Sequence, residues 1–72
     1  MRIKINSLND VYEFVKYAQD VDGDIIISKG KFHVDGKSVL GILSLDMSDG
    51  VNVTYPEEAT AFGEFLSKFE IK

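Results

Sequence analysis

The apolar positions of this chain change their spacing along the sequence, and each change predicts a new element of secondary structure. Residues 1–5 alternate between apolar and basic side chains, which is the period of a strand that buries one face. The next apolar residues recur at three- and four-residue spacing, which predicts a helix over about residues 8–19. Ser7 lies just before this helix and Asp10 is three residues further on, in the form of a capping box with aspartate in place of glutamate.

The following segment predicts a hairpin. Residues 25–27 are isoleucines, which are β-branched and therefore favoured in a strand. Lys29-Gly30 is a turn signal, and the alternation over residues 31–35 predicts the return strand, which ends at Gly36.

The second half of the chain predicts two more helices with one strand between them. Ser38 is a candidate N-cap for a short apolar helix. A loop over residues 47–50 leads into a strand over residues 51–55, which again alternates. Pro56 is expected to begin the third helix, because its missing N–H costs nothing at the first helical position. The apolar stripe of this helix consists of Phe62, Phe65, Leu66 and Phe69.

The order of these elements, β-α-β-β-α-β-α, predicts the fold class. Strands and helices are mixed along the chain and two of the strands are joined by a tight hairpin, which favours a single α+β domain over residues 1–72. We expect a four-stranded antiparallel sheet with all three helices on one of its faces.

Composition narrows the chemistry that such a domain could perform. Twelve acidic and eight basic residues give a net charge of -4, which argues against nucleic acid or an anionic membrane as a partner. The chain has no cysteine and one histidine, so thiol chemistry and multi-histidine metal sites are excluded, and no metal or cofactor is expected. No signal peptide and no membrane-spanning apolar run stands in the sequence, so we expect a cytoplasmic protein.

Residues 34–45, with the sequence VDGKSVLGILSL, resemble the second-helix region of the histidine-containing phosphocarrier family, HPr. The family pattern there is V-(N/D)-x-K-S-(I/V)-(M/L)-G-(V/L)-(M/L)-S-L. Residues 46–55 continue the resemblance as a loop and fourth strand, and residues 11–18 resemble the first helix of the family. The predicted element order is also that of HPr, so the resemblance implies an HPr-like open-faced sandwich.

The resemblance also implies a functional context, the phosphoenolpyruvate-dependent sugar phosphotransferase system of bacteria. In HPr a histidine at the start of the first helix accepts phosphate from enzyme I and passes it to sugar-specific transport proteins. An arginine and a proline follow that histidine in the motif. In many Gram-positive members, a dedicated kinase also phosphorylates the serine that opens the second helix, which controls carbon catabolite repression.

The phosphate-bearing motif itself is missing. Counting back from Phe14, the histidine position falls on Ser7, the arginine position on Asn9 and the proline position on Asp10. A serine has no nitrogen with which to form a labile phosphoramidate, and the loss of the arginine removes a cation that would hold the phosphate. Asp10 adds a like charge. We therefore expect neither catalysis nor phosphate transfer here, and Ser7 is expected to be an ordinary helix cap.

The second helix keeps the family's features. Ser38 matches the regulatory serine, and the alternative interpretation, an N-cap, is compatible with phosphorylation. Val39, Leu40 and Leu43 match an exposed apolar docking patch in the family, next to Lys37; the alternative is that they belong to the core. The resemblance thus implies protein partners in the phosphotransferase system or in catabolite regulation.

Two other hypotheses stay open at this point. In the first, the chain is a phosphocarrier on an unconventional residue, either Ser7 or His33. His33 has the opposite strand parity to Phe32 and Val34, which places it on the sheet face away from the helices and favours an exposed strand residue. In the second, the chain is a small assembly subunit that uses the bare sheet face or an edge strand, without a link to sugar transport. The oligomeric state does not follow from the sequence.

Overall fold

The computed structural model describes residues 1–47 and 49–71, and it confirms the predicted order of elements. Ser48, part of the predicted loop over residues 47–50, lies outside the described residues. The elements are β1 (Arg2–Ile3), α1 (Leu8–Gln19), β2 (Ile26–Lys29), β3 (Phe32–Asp35), α2 (Val39–Leu43), β4 (Val51–Thr54) and α3 (Thr60–Ser67).

The strands form one antiparallel sheet in the order β1-β4-β2-β3. The register places Ile27 opposite both Val34 and Val53 on the face that the helices cover. One position along, Ser28 lies opposite His33 and Asn52 on the bare face. The predicted fold class, an α+β sandwich with a four-stranded antiparallel sheet, is therefore confirmed. The core contains Ile3, Ile5, Val11, Phe14, Val15, Ala18, Ile25, Ile27, Ile42, Met47, Val51, Val53, Phe62, Phe65 and Leu66.

The first strand is shorter than the predicted segment, but its two faces are as expected. Ile3 and Ile5 are buried, whereas Arg2 and Lys4 are exposed. The outer side of this strand is bonded to the end of the chain, because Lys4 N–H donates to the Phe69 carbonyl at 3.0 Å and Ile71 N–H donates to the Arg2 carbonyl at 3.0 Å. Residues 69–71 thereby cover one edge of the sheet.

The start of the third helix was predicted wrongly. It begins at Thr60, and Pro56 lies in a preceding turn in which Ala59 N–H donates to the Pro56 carbonyl at 3.0 Å. The Pro56 ring packs on the turn after α1, since a Cβ added to Gly23 would stand 3.0 Å from Pro56 Cγ. Tertiary packing, rather than helix capping, explains this proline.

The first helix occupies the predicted residues and is held against α3 by aromatic and ionic contacts. Phe14 meets Phe62 edge to face with 5.5 Å between ring centroids, and Tyr17 stacks on Phe65 at 4.3 Å. Lys68 Nζ lies 2.7 Å from a Glu13 carboxylate oxygen. This hydrogen bond raises the pKa of Lys68 above its ordinary value of 10.5.

The hairpin is displaced slightly from its predicted position. Strand β2 covers Ile26–Lys29 rather than residues 25–27, while Ile25 is buried just before it. Lys29 lies opposite Phe32, which leaves a two-residue loop. Gly30, the first loop residue, has a φ of 58°, which is the left-handed geometry that a type II′ hairpin turn requires.

Candidate functional site

Ser38 caps the second helix. Its backbone is extended, with φ -111° and ψ 115°, and its hydroxyl oxygen accepts a hydrogen bond from Gly41 N–H at 3.0 Å. Its carbonyl accepts the first helical hydrogen bond, from Ile42 N–H at 3.0 Å. These are the bonds of an N-cap serine. As a residue, Ser38 remains partly exposed.

A short ordered turn leads from β3 into this cap. The Asp35 carboxylate accepts from Lys37 N–H at 2.9 Å, and the Asp35 carbonyl accepts from Ser38 N–H at 3.1 Å. The Lys37 ammonium reaches back to donate to the Val21 carbonyl at 2.8 Å. Lys37 therefore ties α2 to the turn after α1, which makes it a positioning residue as well as a member of the predicted docking surface.

Two glycines let this region close on its neighbours. A Cβ at Gly36 would stand 2.4 Å from Ile25 Cγ2, so only glycine fits where the chain leaves β3. At Gly41, an added Cβ would lie 3.3 Å from the Ser38 hydroxyl oxygen and 3.5 Å from Val34 Cβ. The absence of a side chain at Gly41 thus places the helix close to β3.

The second helix leaves two of its four apolar side chains in solvent. It has five residues, and of these only Ile42 is fully buried. Leu40 is 82% exposed and Leu43 is 50% exposed, whereas Val39 packs partly against the core. Leu40 and Leu43 therefore do not belong to the core, whereas Val39 packs partly on the core and is partly exposed.

Ser7 begins the first helix with nearly the same geometry as Ser38. Its φ is -136° and its ψ 155°, and its hydroxyl oxygen accepts from Asp10 N–H at 3.1 Å. The cap that was expected at this position is present. The difference is that Asp10 also puts a carboxylate into the first turn of α1, whereas the first turn of α2 has no acidic residue.

The two serines lie at opposite ends of α2. Ser7 and Leu8 line a depression of about 290 Å³ together with Ile42 and Leu43, near the end of α2. The Lys37 bond places the start of α2 beside the end of α1. The two helices therefore run in opposite directions, and Ser38 is not part of the surface around Ser7.

Sequence reasoning missed two exposed apolar side chains. Phe32 is 70% exposed and Leu8 is 52% exposed, although the apolar spacing of each suggested a buried position. Phe32 lies beside a groove between β3 and the segment that follows α2, whose walls include Val34 and Leu45. The exposure of Phe32 could have been inferred from its position, because it adjoins the hairpin turn and a five-residue helix is too short to cover it.

His33 is exposed in the middle of β3, opposite Ser28. His33 and Ser7 line different surfaces, the groove beside β3 and the depression beside the start of α1, and neither surface contains both residues. Within residues 1–47 and 49–71 no group of three or more acidic, histidine or cysteine side chains could hold a metal ion. Within the described residues, His33 therefore does not form a site together with another candidate functional residue.

Comparison with known proteins gives a family. The family model for the HPr component phosphorylation site of the phosphotransferase system matches residues 11–69. The matched segment contains the whole of α2 and Ser38, and it begins after Ser7, Asn9 and Asp10. No curated protein sequence matches the chain significantly.

A solved structure shows the same fold. It is Crh, the catabolite repression containing protein of Bacillus subtilis, whose crystal structure at 1.8 Å revealed a swapping domain in a dimer. The TM-score is 0.73 at 19% sequence identity, and the alignment covers 100% of this chain and 90% of Crh. At this identity the likeness establishes the fold.

No helix in the described part of the chain is long and apolar enough to cross a membrane.

Proposed function

Because this chain belongs to the HPr family of the sugar phosphotransferase system, we propose that it is a regulatory member which works through protein–protein contact and does not pass phosphate from enzyme I to other proteins. Its site of action is the surface formed by Lys37, Ser38, Val39, Leu40 and Leu43, which we call the α2 surface. The partners are proteins of the phosphotransferase system or of catabolite regulation, met in the cytoplasm. The proposal includes no enzymatic activity of this chain.

The observation that carries this proposal is the pair of exposed leucines on α2. Leu40 and Leu43 stand in solvent on a helix with a single fully buried residue. Exposed apolar groups that lie together are typical of contact sites between proteins. The start of α1 supports the other half of the proposal, since its hydroxyl cap and its Asp10 carboxylate lack both the nitrogen and the cation of a phosphocarrier.

Phosphorylation of Ser38 is the proposed control of the α2 surface. A kinase would transfer the terminal phosphoryl group of ATP to Ser38 Oγ, with release of ADP and of the hydroxyl proton. The dianion would stand next to Leu40, and no acidic residue in the first turn of α2 would repel it. Two negative charges at the margin of an apolar contact would favour partners with basic residues there.

The carrier hypothesis is tested by incubation with phosphoenolpyruvate and enzyme I. We expect no acid-labile phosphate on this chain, while an HPr with its active-site histidine is labelled in the same tube. Acid-labile label on the unaltered chain that disappears in His33→Gln would establish the unconventional carrier and end the non-carrier proposal. Acid-stable label, as a serine phosphate ester gives, that disappears in Ser7→Ala would do the same.

The contact proposal is tested on binding to enzyme I, to the serine kinase and to the catabolite-regulation proteins of the same organism. Leu40→Asp is expected to abolish the binding that the unaltered chain shows, because the exposed side chain makes few contacts within its own fold. Tyr12→Asp, on the exposed face of α1, is the matched control and should bind normally. Equal loss of binding in Leu40→Asp and Tyr12→Asp would contradict the assignment to α2. An unaltered chain that binds none of these partners would contradict it as well.

A further inference from the structure

The sheet has two outer strands, and the described residues occupy only one of the two outer edges. Residues 69–71 bond to the outer side of β1. The other outer strand is β3, and no backbone hydrogen bond from the described part of the chain reaches His33 on its outer side. An open strand edge of this kind is a template for pairing with another strand.

The hairpin register determines which backbone groups face outward. Lys29 and Phe32 flank the two-residue loop, so they exchange both of their hydrogen bonds with each other. Alternation along β3 then directs Val34 toward β2 as well, and turns the N–H and C=O of His33 outward. Asp35 also faces outward; its carbonyl accepts from Ser38 N–H, while its own N–H remains on the outer side.

We propose that this edge pairs antiparallel with the same edge of a second copy of the chain, about a two-fold axis at His33. The segment KFHVD, residues 31–35, is complementary to itself in that arrangement. Lys31 of each copy lies opposite Asp35 of the other, and Phe32 lies opposite Val34. Opposite charges that face each other across strands are stabilising, and like charges are destabilising.

The same rule selects His33 as the centre of the pairing. A two-fold axis between antiparallel strands can pass through a hydrogen-bonded pair, here at Lys31, His33 or Asp35, or through a non-hydrogen-bonded pair, here at Phe32 or Val34. An axis at Phe32 would set Lys31 against His33, and an axis at Val34 would set His33 against Asp35, so neither sets Lys31 against Asp35. An axis at Lys31 would set two lysines against each other, and an axis at Asp35 would set two aspartates against each other. With the axis at His33, the two His33 residues exchange N–H···O=C bonds and each Asp35 N–H faces the Lys31 carbonyl of the other copy.

The side chains on the helix side of the edge gain from this arrangement. Phe32, at 70% exposure, would meet the partly buried Val34 of the second copy in a non-hydrogen-bonded pair, where side chains approach most closely. The groove lined by Val34 and Leu45 lies beside Phe32, so the apolar contact would be continuous. The Lys31 ammonium has no ion-pair partner among the described residues and is available for the contact.

The proposed dimer is expected to be weak, because its interface is small. A four-residue edge offers much less than the area of about 1,200 Å² that marks the lower limit of stable interfaces. We therefore expect a monomer at low concentration and a reversible dimer at high concentration. This differs from a swapped dimer, because each copy keeps all its own elements.

Sedimentation velocity between about 10 μM and about 1 mM tests the proposal, because an interface of this size is weak and a dimer should form only at high concentration. The unaltered chain should sediment as a dimer at the top of the range, and Lys31→Glu should remain a monomer. Lys16→Glu, which makes the same charge change on the exposed side of α1, should dimerise normally. Dimers of Lys31→Glu, or an unaltered chain that is monomeric throughout, would overturn the proposal.

Charge exchange provides a second arm. Lys31→Glu and Asp35→Lys each place like charges opposite each other in a homodimer, so each should be monomeric. An equimolar mixture should form a heterodimer, because Glu then faces Lys at one end and Asp35 faces Lys31 at the other. Circular dichroism checks that Asp35→Lys is folded, since it loses the bond to Lys37 N–H. Monomers in a mixture of two folded variants would contradict the register.

A cross-link reports the edge directly. The chain has no cysteine, so a His33→Cys variant carries a single thiol. Paired residues at that position have Cα atoms about 5.5 Å apart, within the range of roughly 4.4–6.8 Å that a disulfide spans. Oxidation should link His33→Cys into a dimer and should leave Thr54→Cys, on the bare face in β4, monomeric. A dimer in sedimentation without a link in His33→Cys would assign the contact to another surface, or to exchanged elements, and refute the proposal.

Discussion

The beginnings of α1 and α2 have the same capping geometry but different surroundings. Ser7 accepts from Asp10 N–H at 3.1 Å and Ser38 accepts from Gly41 N–H at 3.0 Å. Both serines have extended backbones, and both are followed by apolar residues that stand partly in solvent. The capping bond therefore does not by itself separate the roles proposed for the two serines.

The surroundings of the two caps do differ. The first turn of α1 contains the Asp10 carboxylate, while that of α2 has no acidic residue. The α2 cap also rests on a packed turn, in which Asp35 holds Lys37 and Gly36 touches Ile25. The two caps therefore differ in the charge and the packing around the serine and not in the geometry of the serine itself.

The largest contrast is expected in phosphorylation itself. With ATP and the serine kinase of this family, Ser38→Ala should lose all incorporated phosphate, whereas Ser7→Ala should be labelled as the unaltered chain is. Mass spectrometry of the intact protein and of its peptides measures the result. An unaltered chain that is not labelled beside a labelled HPr would remove Ser38 as a regulatory site, and label that survives Ser38→Ala would move the site elsewhere.

The packed turn before α2 predicts the largest difference in stability. Gly36→Ala places a methyl group 2.4 Å from Ile25 Cγ2, and overpacking of this kind costs about 1–3 kcal/mol. Asn6→Ala, in the exposed approach to α1, should change the free energy of unfolding by less than about 0.5 kcal/mol. Urea unfolding measures both. If Gly36→Ala left the free energy of unfolding unchanged, the turn before α2 would accept an added methyl group as easily as the segment before α1 accepts a substitution.

The capping bonds predict a smaller and nearly equal pair of effects. Ser7→Ala and Ser38→Ala should each lower the free energy of unfolding by about 1 kcal/mol, the usual value of a serine N-cap. The two sites share no hydrogen-bond partner, so the double variant should show the sum to within about 0.5 kcal/mol. Strong non-additivity would reveal a coupling between the two helix starts that the structure does not contain.

The smallest effect isolates charge from capping. Aspartate is also a good N-cap, so Ser38→Asp should leave stability almost unchanged. Ser7→Asp sets a second carboxylate beside Asp10 in the same turn and should be less stable than Ser38→Asp by about 0.3–1 kcal/mol at low salt. Thermal unfolding with and without added salt measures the gap, which should close as salt screens the charges. A gap that persists in high salt would assign the difference to packing.

The sequence by itself determined the features whose interactions are local. The helix over residues 8–19 and the serine caps at Ser7 and Ser38 could be predicted, because their periodicity and hydrogen bonds join residues three or four positions apart. The absence of a histidine, an arginine and a proline at residues 7, 9 and 10 could also be read from the sequence, since it is a matter of residue identity alone.

Only the tertiary structure decided which apolar residues and which strand edge remain open. Pro56 was misjudged because its partner, Gly23, is distant in sequence, and the cover of β1 by residues 69–71 joins opposite ends of the chain. Phe32 and Leu40 share the apolar character of core residues but lie beyond the reach of a five-residue helix. Whether a side chain is exposed or a strand edge is free depends on which distant segment of the chain packs against it. The local spacing of apolar residues, every second residue in a strand or every third or fourth in a helix, contains no information about that segment.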